Sequence, residues 1–284
     1  MAEVEVTAGM IKQLRERTGV GMGKCKEALV EARGDMELAI ANLRKAGIAS
    51  AVKKEGREAK EGMIVTGAND STVALVEVNV ETDFVVKNDK FQSFTKALVE
   101  EICHTSPANL EDFLKQKFSK DSKLSIDEFR AVTVQSLGEN IQIKRLEIFP
   151  KKADHSIGIY SHMGGKLVTL VEISGSKDEV ELAKDIAMHI AAEAPEYLSS
   201  DEIPERVIEH EKEIAQAQIQ NKPPQIQDKI IEGKLKSYFN QACLLNQHFI
   251  KDTSITVDEL VKKRSKESGK ELKLVQFLRW KIGE

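Results

Sequence analysis

The stretch Val73-Ala74-Leu75-Val76-Glu77-Val78-Asn79-Val80 constrains this chain more than any other segment. Its even positions are all apolar, and its odd positions turn polar after Leu75. It therefore reads as a strand with one face buried along its whole length. Such a strand needs partners and a cover. Met63-Ile64-Val65-Thr66 precedes it across the turn residues Asn69-Asp70-Ser71. Asn140 to Ile148 alternates downstream as a further strand. A helix from about Asn88 carries Phe91, Phe94, Leu98 and Ile102 at helical spacing, and Ser125-Ile126-Asp127-Glu128 has the capping-box pattern of another helix start. The plan then recurs. Ile157 to Tyr160 is a strand, Met163-Gly164-Gly165 a tight turn, Leu167 to Ile173 a return strand, and 178–193 a helix rich in Ala, Ile and Met. The repeat is one of pattern rather than residue identity. It implies an α+β fold of two related subdomains, each a small antiparallel sheet covered by a helix.

The flanks read differently. Before the first hairpin come three short helices. Thr7 caps the first, which carries Met10, Ile11 and Leu14 and stops at Thr18-Gly19. The second bears Cys25, Ala28, Leu29 and Ala32. Asp35 caps the third, with Leu38, Ala39, Ile40 and Leu43 closed by Gly47. Residues 48–62 are charged and Gly-bearing, and read as a linker. Over 204–240, two narrow apolar stripes flank Lys222-Pro223-Pro224, which reads as an antiparallel helical hairpin of coiled-coil type. Cys243-Leu244-Leu245 and Val275 to Trp280 read as strands returning to the sheet, with a helix over about 256–268 between them. The expected division is a three-helix N-terminal domain over 1–54, a core N-subdomain over 55–150, a core C-subdomain over 151–197 and 241–284, and a hairpin insertion over 198–240.

Bulk composition narrows the function. Hydrophobic residues are 41% and charged residues 31% of 284, which suits a folded chain with a wide polar surface. The formal net charge of -4 argues against a nucleic-acid carrier, because neutralising phosphates needs a basic surplus. Cys25, Cys103 and Cys243 are odd in number and lack CxxC spacing, as expected of free thiols in a reducing compartment. The start, Met1-Ala2-Glu3-Val4-Glu5-Val6, is acidic where a secretion signal would be basic. No run approaches the ~18 uninterrupted apolar residues of a membrane span. The cytoplasm is the expected location.

Catalytic signatures do not appear. There is no phosphate-cradling glycine loop, no HExxH and no nucleophile elbow. Neither a metal nor a cofactor is expected. The six histidines are scattered, and His189, within an apolar helix, reads as a core or capping histidine. Nothing in the sequence gathers Thr82, Asp83 and His162 into a catalytic cluster. Thr82-Asp83-Phe84 stands where the buried strand ends and before the next helix begins. Position alone allows two readings of this corner: Phe84 in the core with Asp83 in a turn, or Phe84 as an exposed anchor for a partner's apolar slot.

Two segments carry a resemblance. LRERTGVGMGKCKEAL at 14–29, continuing through RGDMELAIANLRKAG at 33–47, and EVNVETDFVVKNDKF at 77–91 resemble the elongation factor Ts family. Leu137-Gly138-Glu139-Asn140-Ile141 and DIAMHIAAEAPEYL at 185–198 add to it, all four in the family's order and spacing across nearly the whole chain. The resemblance implies a non-enzymatic guanine-nucleotide exchange factor for the GTPase elongation factor Tu, acting on its GDP-bound or nucleotide-free form during protein synthesis. It implies that Thr82, Asp83, Phe84 and Val85 grip elongation factor Tu at the corner. Arg15, Met22 and Lys26 would do so from the N-terminal helices, which resemble ubiquitin-associated domains, and His162 from the second hairpin. As bare residues, Arg15 and Lys26 read as solvated helix faces, and His162 as an exposed turn residue. The family often carries a second methionine beside Met22, where this chain has Gly23. Some members also continue past the last strand with a further helix, whereas this chain stops at Lys281-Ile282-Gly283-Glu284. No direct nucleic-acid or membrane partner is implied, and the resemblance leaves room for a homodimer or a 2:2 complex through the core or the helical hairpin.

Overall fold

The computed structural model describes residues 6–219 and 223–284, with the side chains of 224 and 225 left out. It is a mixed fold of helices and antiparallel sheet, in two units: Met1–Pro150 with Lys281–Glu284, and Lys151–Trp280.

The first unit opens with α1 (Ala8–Thr18), α2 (Met22–Glu31) and α3 (Met36–Lys54). The caps follow the sequence. Thr7 Oγ1 accepts from the Met10 amide and Asp35 Oδ1 from the Leu38 amide. Leu14, Cys25, Leu29, Ala39 and Leu43 close a small core between these helices. One expectation fails here. Gly47 does not end the third helix, and 48–62 is not all linker, because α3 runs on to Lys54. Gly47 is instead a point of close approach: a Cβ there would stand 3.3 Å from Gln135 Oε1 and 3.4 Å from the Ala131 carbonyl oxygen. The residues after it, Ile48 to Lys54, lack glycine and proline, so nothing stops the helix.

Next come β1 (Glu61–Ala68), β2 (Thr72–Val80), α4 (Asp83–Val86), α5 (Asp89–Thr105), α6 (Leu110–Lys115), β3 (Lys117–Phe118), β4 (Asp121–Ser125), α7 (Ile126–Leu137) and β5 (Ile141–Pro150). The sheet order is β1-β2-β5, antiparallel throughout, with a bulge at Glu77/Val78. Ala74, Val76, Val78 and Val80 meet Phe91, Phe94, Leu98 and Ile102 of α5 in the core, as their spacing predicts. The other face of β2 is buried too, contrary to the alternation reading. Glu77 is 0% exposed. Its carboxylate is held by Arg145 at 2.6 Å and Lys144 at 3.6 Å, both on β5, so cationic neighbours supply what the lost water would. Sequence reading missed α4, α6 and the β3–β4 hairpin, which are too short to show a period.

The second unit holds β6 (His155–His162), β7 (Leu167–Ser174), α8 (Val180–Glu193), α9 (Glu205–Gln218), α10 (Pro224–Ala242), β8 (His248–Phe249), β9 (Asp252–Thr256), α11 (Val257–Ser268) and β10 (Lys273–Lys281), with sheet order β10-β7-β6. Val171 and Ile173 pack on Ala183, Ile186, Ala187 and Ile190 of α8. The helices α9 and α10 contact one another, and Lys234 Nζ donates to Gln218 Oε1. The break expected at Lys222-Pro223-Pro224 falls partly outside the described residues, since 220–222 are not among them; Pro223 caps α10. Cys243-Leu244-Leu245 is not a strand. One parallel bridge joins Tyr197 to Cys243, and the chain then turns into a 3-10 helix over Leu244–Asn246 as the Asn246 amide reaches back to the Cys243 carbonyl.

The two units also share residues, which corrects the reading of a repeat of pattern alone. Gln116 to Phe129 and Gln247 to Leu260 each form a two-residue strand, a turn, a five-residue strand and a helix opened by a complete capping box, Ser125 with Glu128 and Thr256 with Glu259. Six positions match in identity: Gln116/Gln247, Phe118/Phe249, Lys120/Lys251, Asp121/Asp252, Asp127/Asp258 and Glu128/Glu259.

Candidate partner-binding corner

The corner after β2 is built from both sides. On its N-terminal side, Thr82 is tied to Glu139, which follows the α7 cap Gly138. The Thr82 amide donates to Glu139 Oε2 at 2.9 Å, and Thr82 Oγ1 donates to Glu139 Oε1 at 2.6 Å. The neighbouring residue is tied as well: the Asn140 amide donates to Glu81 Oε1 at 2.6 Å, and Arg57 pairs with Glu81 at 3.5 Å. The buried Asn140 side chain donates to the carbonyls of Arg57 at 2.8 Å and Glu55 at 3.3 Å. On the C-terminal side, Val85 and Val86 pack against the first unit's core.

Between these anchors the single turn of α4 leaves Phe84 80% exposed. Of the two readings that position allowed, the core reading of Phe84 is therefore excluded. Asp83 begins the turn and its carboxylate pairs with Lys87 at 2.9 Å, one turn on. An exposed benzyl group on a short, doubly anchored turn is the arrangement an apolar slot on a partner would accept with little ordering cost.

The other expected contact residues are also placed. Met22, the first residue of α2, is 54% exposed. Lys26 lies one turn further along α2, exposed, with Val30 a turn beyond it and 56% exposed. Arg15 is exposed on α1. Beneath this surface, burial pushes the Cys25 thiol up, against the lowering effects of a Thr18 hydrogen bond and the Arg15 charge. In the second unit, His162 ends β6, exposed. Its Nδ1 lies 3.1 Å from Tyr160 Oη, and the two rings stack with centroids 5.9 Å apart. Met163, next in the turn with φ 49°, is 71% exposed.

Thr82 through Val85 are thus brought together by one turn, and Arg15, Met22 and Lys26 lie on α1 and α2 of the same unit. His162 belongs to the other unit. Sequence reading missed Glu139 and Met163. Glu139 lay within the quoted Leu137 to Ile141 stretch but 57 residues from Thr82, and the turn glycines beside Met163 were the signal for its exposure. Among the described residues, no group of histidine, cysteine and carboxylate side chains is arranged to hold a metal, and no helix is long and apolar enough to cross a membrane.

Comparison with known proteins gives a consistent result. The family model described as Elongation factor TS matches residues 81–284. The elongation factor Ts of Protochlamydia amoebophila (strain UWE25) is 60% identical over 279 residues, covering 98% of this chain and 99% of that protein. Those of Chlamydia felis (strain Fe/C-56) and Chlamydia muridarum (strain MoPn / Nigg) are 48% and 47% identical over 273 residues, covering 96% of this chain and 97% of each.

Proposed function

The chain belongs to the elongation factor Ts family, and on that premise we propose that it is a guanine-nucleotide exchange factor for the GTPase elongation factor Tu, working by binding rather than by chemistry of its own. The family places it in translation elongation. The finer reading rests on one observation: Phe84 stands 80% exposed on a turn anchored to its own protein on both sides. A large apolar side chain held out on an anchored turn is already placed for a partner's slot and needs little ordering on binding.

The mechanism is reciprocal linkage. Phosphate and metal contacts of a bound nucleotide stabilise one shape of the GTPase; the corner stabilises another, in which those contacts are strained. Each ligand must then weaken the other by the same factor. Phe84 supplies the apolar insertion, with Thr82, Asp83 and Val85 fixing it. Arg15, Met22 and Lys26 extend the grip from the N-terminal helices, and His162 adds a contact from the second unit. Exchange runs in both directions, and the cell's excess of GTP over GDP sets its course.

In this reading α1 to α3 form a domain like those that bind ubiquitin, ending near residue 54. Residues 55–150 form one core subdomain, and 151–197 with 241–284 the other. The segment 198–240 is an antiparallel helical hairpin inserted between the halves of the second. The protein acts in the cytoplasm, without nucleic acid or membrane as direct partner, and self-association would run through the core or the hairpin. The test is direct: the purified chain is mixed in stopped flow with elongation factor Tu carrying labelled GDP. Accelerated release supports the reading, and release at the spontaneous rate overturns it.

A further inference from the structure

We infer that Glu139 is a positioning residue for the corner, holding Phe84 in its binding geometry through Thr82; this rests on the proposed reading of the corner as the partner contact. The turn α4 has four residues, too few to be stable as a helix by itself. Thr82 stands at its N-cap, yet its side chain makes no cap hydrogen bond to the turn. Both Thr82 donors go instead to the one carboxylate of Glu139, at 2.9 and 2.6 Å. A carboxylate can accept two donors on its two oxygens, and hydrogen bonds to an ionised acceptor are about twice as strong as neutral ones. Val85 and Val86 secure the far side of the turn in the core; on the near side the Thr82–Glu139 pair adjoins the turn, and the Glu81 contacts to Asn140 and Arg57 lie one residue further back. Loss of that pair would leave the near end of the turn held only from Glu81. The partner would then have to order that turn on binding, which lowers affinity without changing the contact finally made.

Glu139→Ala is the discriminating variant. It removes both carboxylate oxygens, so the Thr82 amide and hydroxyl both lose their partner. Thr82→Val, which removes the hydroxyl at constant size, should act on the same link, and the double variant should be no worse than the poorer single one. Two readouts are taken. The first uses the free chain carrying Phe84→Trp and labelled with fluorotryptophan. In fluorine NMR, Glu139→Ala should narrow the line of the introduced indole by roughly twofold and leave the Trp280 line, a monitor of the second unit, unchanged. The second uses chains with Phe84 intact and titrates them against elongation factor Tu loaded with labelled GDP. The half-saturating concentration should rise about fivefold with the maximal release rate kept, and Glu139→Asp should restore part of it.

An unchanged indole line with unchanged half-saturation would overturn the inference. A narrowed line with unchanged half-saturation would overturn it too, by showing a clamp that binding does not use. If Phe84→Ala is also silent in that titration, the fault lies with the reading of the corner as the contact.

Discussion

In the second unit, Nδ1 of His189 accepts the backbone N–H of Ile250 at 3.3 Å, while its Nε2 lies 2.9 Å from Oε1 of Gln247. An imidazole accepting at Nδ1 must carry its proton on Nε2, which then donates to Gln247. The matching amide of the first unit, that of Ser119, donates at 3.1 Å to Oε1 of Glu101, a buried carboxylate. One shared hairpin thus uses two unlike acceptors, and only the imidazole would forfeit its role by taking up a proton.

Burial holds His189 below the ordinary histidine range, against the opposing effects of Gln247 and Glu193. Below the ordinary value of 6.5 the unfolded chain binds a proton that the folded chain refuses. This contribution to stability is therefore complete above that value and is lost as pH falls from it through the lowered folded-state pKa. We expect urea midpoints to decline as pH falls below about 6.5. His189→Gln, whose amide can accept from Ile250 and donate to Gln247, should flatten part of that decline. Equal slopes for the two proteins would count against the assignment.

Phe84→Ala separates binding from folding. A side chain 80% exposed contributes little to the fold, so stability should change by less than about 0.5 kcal/mol. Stimulated GDP release from elongation factor Tu should slow by at least about tenfold, the kinetic size of ~1.4 kcal/mol. Near-normal release in stopped flow would remove the apolar insertion from the mechanism.

Met22→Glu tests the N-terminal helices in the same assay. Met22 is 54% exposed at the start of α2, where an added carboxylate meets the positive end of the helix dipole and leaves the fold intact. The half-saturating concentration should rise about tenfold, ~1.4 kcal/mol, with the maximal rate kept. An unchanged titration would confine the contact to the corner and the second unit.

What the sequence made legible was local. The apolar even face of β2 and the stripe Phe91, Phe94, Leu98 and Ile102 follow from local periodicity, the caps at Thr7, Asp35 and Ser125 engage amides within the next turn, and all of these stand as read. What escaped was non-local. Glu139 meets Thr82 across 57 residues, and no spacing rule reaches that far. Gly47 has the look of a helix stop because its true neighbours, Ala131 and Gln135, arrive only in the folded state. The odd face of β2 looked wet because the cations around Glu77 come from β5. The shared residues of the two hairpins escaped because the units differ most between α8 and β8, where α9 and α10 intervene.

Gly158 makes the strongest stability prediction. It lies on β6 where α8 crosses, and a Cβ there would fall 2.2 Å from the Lys184 amide nitrogen and 2.3 Å from the Ala183 carbonyl carbon. Both are backbone atoms of a helix packed by Ile186 and Ile190 into the core, so no side-chain rotation relieves the overlap and α8 itself must move. Gly158→Ala should cost about 3 kcal/mol or more and lower the thermal midpoint by roughly 10 °C. Gly23→Ala is the control: it adds the same methyl in α2, where nothing lies within 4 Å, and there alanine should be neutral or stabilise by up to about 1 kcal/mol. If circular-dichroism melts show the two variants alike, the close approach of β6 and α8 is not what makes glycine necessary at 158.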